Sequence, residues 1–142
     1  MSNLRIFVKT PGCEPCRLHP TDAGLDLKAD KTYYLGRREV ILVKCGIHVE
    51  IPKGHTGLIF PRSGLATKHG VTLANNVGVI DSDYRGEIMC AMRNTTEYNY
   101  IIHKHDRIAQ LVIVPILIPE VEFTDELTKT DRGAGGFGHT GK

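Results

Sequence analysis

Apolar residues in this chain recur in short runs of period two, each closed by Gly, Pro, Asn or Asp, and only one stretch offers a helix. This pattern constrains the fold more than any other feature, because strand side chains alternate between faces while helical ones return every ~3.6 residues. The strand-like runs are residues 4–9, 24–28, 40–43, 48–51, 57–60, 87–93, 99–103 and 107–118. Ile88-Met89-Cys90-Ala91-Met92 shows the alternation of a half-buried strand. Residues 107–118 are nearly continuous in Leu, Val and Ile and are expected in the core, with Pro115 marking a break, a bulge or a switch of sheet. The single helix is expected at 64–69, with Ser63 as N-cap and Gly70 as its stop. Many short strands and one short helix predict an all-β, single-domain barrel or sandwich.

Its 142 residues make one domain with a proper core, and neither a repeat nor a linker divides them. A formal charge of +2 gives no global field for a nucleic acid or a membrane surface, and neither partner is expected. No run approaches the ~20 apolar residues of a membrane span, and Met1-Ser2-Asn3-Leu4-Arg5 opens no signal peptide. A soluble intracellular protein follows, in which Cys13, Cys16, Cys45 and Cys90 are reduced thiols. Cys13 and Cys16 with His19 supply three zinc ligands where a closed site needs four, so no zinc site is read there. Asn94-Thr95-Thr96 has the form of a glycosylation sequon and is read as a loop.

Residues 132–142 contain five glycines and one aromatic, and should be mobile in isolation. Two strings in this tail imitate phosphate-binding fingerprints, Gly133 to Gly138 and Gly136 to Lys142. Both mechanisms need a helix after the glycines, and none follows. The tail nevertheless collects a cation, a hydroxyl, an imidazole and an aromatic ring among free backbone donors, which suits closure over a phosphorylated, ring-bearing ligand.

Four internal segments are unusual for plain structure. Asp26 stands between apolar residues in Ala23-Gly24-Leu25-Asp26-Leu27. Arg62 and Ser63 open the only helix, a natural anion site. Residues 75–86 read as a tight hairpin leading into Asp81, Asp83 and Tyr84. Arg107 and Gln110 form a buried polar pair at the head of the most apolar strand, where each demands a partner.

In order and spacing, segments 23–27, 61–70, 78–86, 107–111 and 132–141 resemble the five motifs of the dUTPase family, trimeric type. The resemblance implies a jelly-roll-like β-barrel domain over residues 1–131, and a C-terminal tail over 132–142 that closes on the active site. It implies a homotrimer whose sites are shared between subunits, and hydrolysis of dUTP to dUMP and pyrophosphate with Mg2+. That reaction keeps uracil out of DNA and supplies dUMP for dTMP synthesis.

By resemblance, Asn75 and the backbone at Gly78 hydrogen-bond the uracil edge, and Tyr84 packs under the deoxyribose. Asp81 deprotonates the water that attacks the α-phosphate. Arg62, Ser63, Gly64 and Gln110 bind the phosphates, and Asp26 accepts hydrogen bonds from water on the substrate-bound magnesium. In the tail, Phe137 stacks on uracil, Arg132 and Thr140 contact the γ-phosphate, and Gly138 belongs to the substrate-binding set. Two positions depart from or vary within the pattern: His105 stands where the family usually has Gly, in a turn that often needs φ > 0, and His139 stands in the tail where Ser is common. A dCTP deaminase would share the fold and release ammonia, but lacks Asp81-Ser82-Asp83-Tyr84 together with a Phe-bearing Gly-rich tail. A regulatory relative that binds without catalysis would lack Asp81 or the tail.

Overall fold

The computed structural model describes residues 3–141; Met1 and Ser2 at the start and Lys142 at the end of the tail lie outside them. The strands are β1 (Arg5–Val8), β2 (Leu25–Lys28), β3 (Tyr33–Leu35), β4 (Val40–Glu50), β5 (His55–Pro61), β6 (Val71–Leu73), β7 (Gly78–Ile80), β8 (Glu87–Asn94), β9 (Tyr100–Ile102) and β10 (Arg107–Pro115). They form two four-stranded sheets, β1-β4-β8-β6 and β2-β10-β5-β7, and a two-stranded sheet, β3-β9. All the pairings are antiparallel. This is the expected all-β, jelly-roll-like barrel, and its core is built from Leu27, Val43, Ile47, Ile59, Leu73, Ile88, Met92, Ile108 and Leu111.

Two expected strands, 40–43 and 48–51, are one long β4. Between Lys44, opposite Met89, and His48, opposite Glu87, β4 carries two more residues than β8. An insertion of two keeps the strand's parity, so Val43, Cys45, Ile47 and Val49 all stay buried. The bulge is held by the residues just after β1: the N–H groups of Lys9 and Thr10 both donate to the Gly46 carbonyl, at 2.8 and 3.0 Å. Gly46 has φ +64, and a Cβ there would collide with Thr10 and Cys13, so glycine is required.

The helix α1 (Ser63–His69) ends at Gly70, which has φ 62 and donates to the Ala66 carbonyl. Its N-cap, however, is Arg62 in extended conformation, not Ser63, and no side chain caps the first turn. Ser63 is the first helical residue, which leaves its hydroxyl outside the capping role. The hairpin expected around residues 75–86 is also corrected. β6 pairs with β8 and β7 pairs with β5, so the Ala74–Val77 turn carries the chain from one sheet to the other. At Pro115 strand β10 ends, and residues 115–141 are exposed apart from half-buried Gly135.

Asn94, expected in a loop, is the last residue of β8 and fully buried. Its amide donates to the carbonyls of Gly36 (3.1 Å) and Tyr98 (2.6 Å), and its oxygen accepts from the backbone and hydroxyl of Thr96. All four cysteines are free, with the buried thiols of Cys45 and Cys90 in contact at 3.6 Å.

His105 adopts φ 69, so the turn keeps the left-handed geometry although glycine is absent. The surroundings enforce it. The His105 N–H donates to Ala29 (2.8 Å), Asp106 accepts from the His103 N–H (2.8 Å), and the imidazole lies against Gly12. Histidine is among the non-glycine residues better tolerated there, whereas a β-branched side chain is not. Accordingly, thermal unfolding should show His105→Gly within about 1 kcal/mol of the parent and His105→Val losing about 1–2 kcal/mol.

Candidate active site

The sheet β2-β10-β5 gathers the polar residues of three separate segments. β10 lies between β2 and β5, with Gln110 in register with both Asp26 and Phe60. Asp26 is thereby placed between two guanidinium groups, Arg62 Nε at 3.2 Å and Arg107 Nη1 at 3.1 Å. Arg62 in turn donates to the Arg107 carbonyl at 3.1 Å, so the three charged groups form one cluster. Arg107, expected to be buried, is exposed and finds its partner at the rim. Gln110 is half-buried and donates to the Pro61 carbonyl at 3.0 Å, just before the helix. Glycine at position 24 permits this, because a Cβ there would strike the Gln110 side chain.

These residues line an open cleft of about 310 Å³ together with Ser63 and Gly64. Two cations, an uncapped first helical turn and a free hydroxyl suit it to phosphate oxygens. Leu18 and Asp22 complete the wall and lie outside the motif-like segments. Asp22 closes a short turn by accepting from the His19 N–H at 2.8 Å. The turn-forming string His19-Pro20-Thr21-Asp22 was the one sequence signal for it. A neighbouring cleft of about 350 Å³ on the other side of α1 shares Arg62, Gly64 and Arg107 and adds Lys68, His69 and Tyr100.

Asn75, Asp81 and Tyr84 line a different cleft, of about 290 Å³ and more apolar, completed by Leu42, Val79, Ile80, Glu87, Met89 and Ala91. Asp81 is exposed and its carboxylate has no partner among the described residues. Tyr84 lies over Gly86, where any side chain would collide with the ring, and its hydroxyl donates to the Glu87 carbonyl at 3.1 Å. Glu87 reaches Lys9 at 2.9 Å. Burial alone would push its carboxyl up, but the hydrogen bond and charge of Lys9, with Lys44 and His48, outweigh that and hold the pKa below the ordinary carboxylate value. Gly78 stands opposite Ile59 on β5, close to the Asn75 amide. The apolar wall could have been read from Leu42 and Met89, exposed hydrophobics in the outward phase of β4 and β8.

No residue lines both the cationic cleft and the Asp81 cleft. Arg132, Phe137, Gly138 and Thr140 are exposed and line neither. Among the described residues, no group of three or more His, Cys, Asp or Glu side chains is gathered to hold a metal ion unaided. No helix among them is long and apolar enough to cross a membrane.

Known proteins of the same fold point one way. The dUTPase family model matches residues 12–141. A deoxyuridine 5'-triphosphate nucleotidohydrolase of Anaeromyxobacter sp. (strain Fw109-5) is 48% identical over 120 residues, covering 84% of this chain and 82% of its own. The structure of Staphylococcus bacteriophage 80alpha dUTPase with dUPNHPP superposes with a TM-score of 0.90 at 30% identity, covering 100% of both chains. A mutant dUTPase from phage phi11 of S. aureus, described with a coordinated structural Mg(II) ion, superposes at 0.82 with 29% identity over 88% of this chain and 98% of its own. The chain belongs to the dUTPase family and is a nucleotidohydrolase.

Proposed function

We propose that this chain hydrolyses dUTP to dUMP and pyrophosphate, in sites that form between the subunits of a homotrimer. The observation that carries the shared site is the division of the expected residues between two clefts with no lining residue in common. One cleft has cations for a triphosphate but no free carboxylate beside a base pocket. The other has the free carboxylate, the aromatic ring and the amide but no cation for phosphates. Each is the complement of the other, and a symmetric ring brings unlike surfaces of identical chains together.

In this reading Asn75 and the backbone at Gly78 pair with the uracil edge, and Tyr84 lies beneath the sugar, where a 2′-hydroxyl would clash. Asp81, with no partner for its carboxylate among the described residues, takes the proton of the water that attacks the α-phosphorus. Arg62, Ser63, Gly64 and Gln110 hold the phosphates. The 132–142 tail closes last, with Phe137 on the base, Arg132 and Thr140 at the γ-phosphate and Gly138 alongside. The barrel of residues 1–131 is then the scaffold and the tail its lid. The product dUMP would feed dTMP synthesis, and removing dUTP would keep uracil out of DNA.

The donor set fits a magnesium ion that arrives on the triphosphate and is not caged by the protein. Asp26 already bonds two arginines, yet a carboxylate has about four acceptor sites, and those left over face the cleft to receive hydrogen bonds from the ion's water. Magnesium, when bound, would neutralise charge on the phosphate oxygens.

Incubating the protein and magnesium with dUTP, dCTP, dTTP and UTP separately tests the activity. Pyrophosphate from dUTP alone is expected, whereas ammonia from dCTP would move the protein to the deaminase branch. The shared site has its own test. Asp81→Asn and Arg62→Ala chains, each inactive alone, should recover about a quarter of parental activity when refolded together, because that fraction of interfaces joins two intact halves. No recovery, with mixed trimers present, would place the site within one chain.

A further inference from the structure

The segment between Ile80, paired with Gly57 of β5, and Glu87, paired with His48 of β4, bears Asp81 and Tyr84 and itself pairs with no strand. It leaves β7 in one sheet and enters β8 in the other. Several of its bonds are internal: the Tyr84 N–H donates to the Asp81 carbonyl, and the Arg85 guanidinium to the carbonyls of Ser82 (2.7 Å) and Tyr84 (3.1 Å). Such bonds make the turn rigid without determining where it sits on the barrel.

Besides the ladders that hold Ile80 and Glu87, two side chains from the barrel grip it, one at each end. Thr56 of β5 is 6% exposed, and its hydroxyl donates to the Ile80 carbonyl at 2.8 Å, on the residue just before Asp81. His48 of β4 bonds through Nδ1 to the Arg85 carbonyl at 2.8 Å, just after Tyr84. A carbonyl only accepts, so the proton must reside on Nδ1 of His48. The imidazole is steadied by Phe7, tilted against it at 5.7 Å, and stands opposite Glu87 in the ladder. Neither residue lies in the five motif-like segments.

We propose that Thr56 and His48 are positioning residues that clamp the two ends of the Asp81–Tyr84 turn and so aim the carboxylate. This rests on the reading of Asp81 as the base. Displacing a reacting group by about 1 Å can cost on the order of 10² in rate; Thr56 holds the peptide that joins Ile80 to Asp81, and His48 holds the peptide one residue beyond Tyr84.

The test uses Thr56→Val and His48→Phe, which remove the donors, and Thr56→Ser and His48→Asn, which replace them with a hydroxyl and an amide N–H. Amide hydrogen exchange of residues 81–86 reads the clamp itself and needs no activity. Both donor-less variants should exchange at least about tenfold faster there, with β4 and β8 unchanged. Their kcat on dUTP should fall about 10–100-fold, well beyond any rise in KM, and the Ser and Asn variants should return to within about threefold of the parent. Unchanged exchange in the turn overturns the clamp. Faster exchange with parental kcat, in a protein that Asp81→Asn inactivates, overturns the positioning role. Parental turnover in Asp81→Asn itself would instead refute the assignment of the base, and the exchange measurement would still decide the clamp.

Discussion

Asp81→Asn should bind dUTP as the parent does and hydrolyse it at least about 10²-fold more slowly, the usual scale for loss of a positioned general base. The expectation follows from the isolation of this carboxylate. It is exposed and bonds no other described group, so the amide removes basicity without breaking a structural contact. Folding and the thermal transition should therefore be preserved. The informative measurement is single-turnover hydrolysis beside equilibrium binding of a non-hydrolysable dUTP analogue. A parental rate would transfer the role of base to another group, whereas weakened binding with a normal rate would make Asp81 a ligand contact.

Deleting residues 132–142 should leave the proposed trimer intact and cost at least about 10²-fold in kcat/KM, through lost orientation and lost charge at the phosphates. In the structure the tail's hydrogen bonds from Thr130 onward run within the tail, such as Arg132 Nε to the Gly135 carbonyl, and Phe137 is fully exposed. Among the described residues, no barrel group bonds to residues 132–141. Sedimentation of the truncated protein as a trimer, with activity lost, is the expected pair of results. Dissociation to monomers would make the tail part of the assembly.

Strand type and helix position were legible because both rest on local pattern: alternation marks β1 and β8, a nearly continuous apolar run marks β10, and Gly70 ends α1 where a left-handed residue was needed. What escaped was set by distant partners. β3 and β6 have only three residues each, too short for a period to register, and exist because β9 and β8 pair with them. The bulge in β4 interrupts the hydrophobic run at Lys44 and Gly46, and only the pairing with β1 and β8 reveals that the strand continues. In the site, the motif-like segments named Asp26, Arg62 and Gln110 but not how Asp26 is shared between two arginines. Leu18, Thr56 and His48 carry no local signature of proximity to a ligand, since what they meet belongs to separate elements.

The interior position of Asn94 bears on how the protein can be produced. Glycosyltransferases act on an unfolded chain as it emerges into a secretory compartment, and Asn94-Thr95-Thr96 meets their requirement. In the native fold that amide is sealed and spends its nitrogen on Gly36 and Tyr98. A sugar attached there could not be accommodated, so modification and folding exclude each other. Expression through a eukaryotic secretory route should yield misfolded, sugar-bearing material unless Thr96 is replaced, whereas a host lacking that machinery imposes no such conflict.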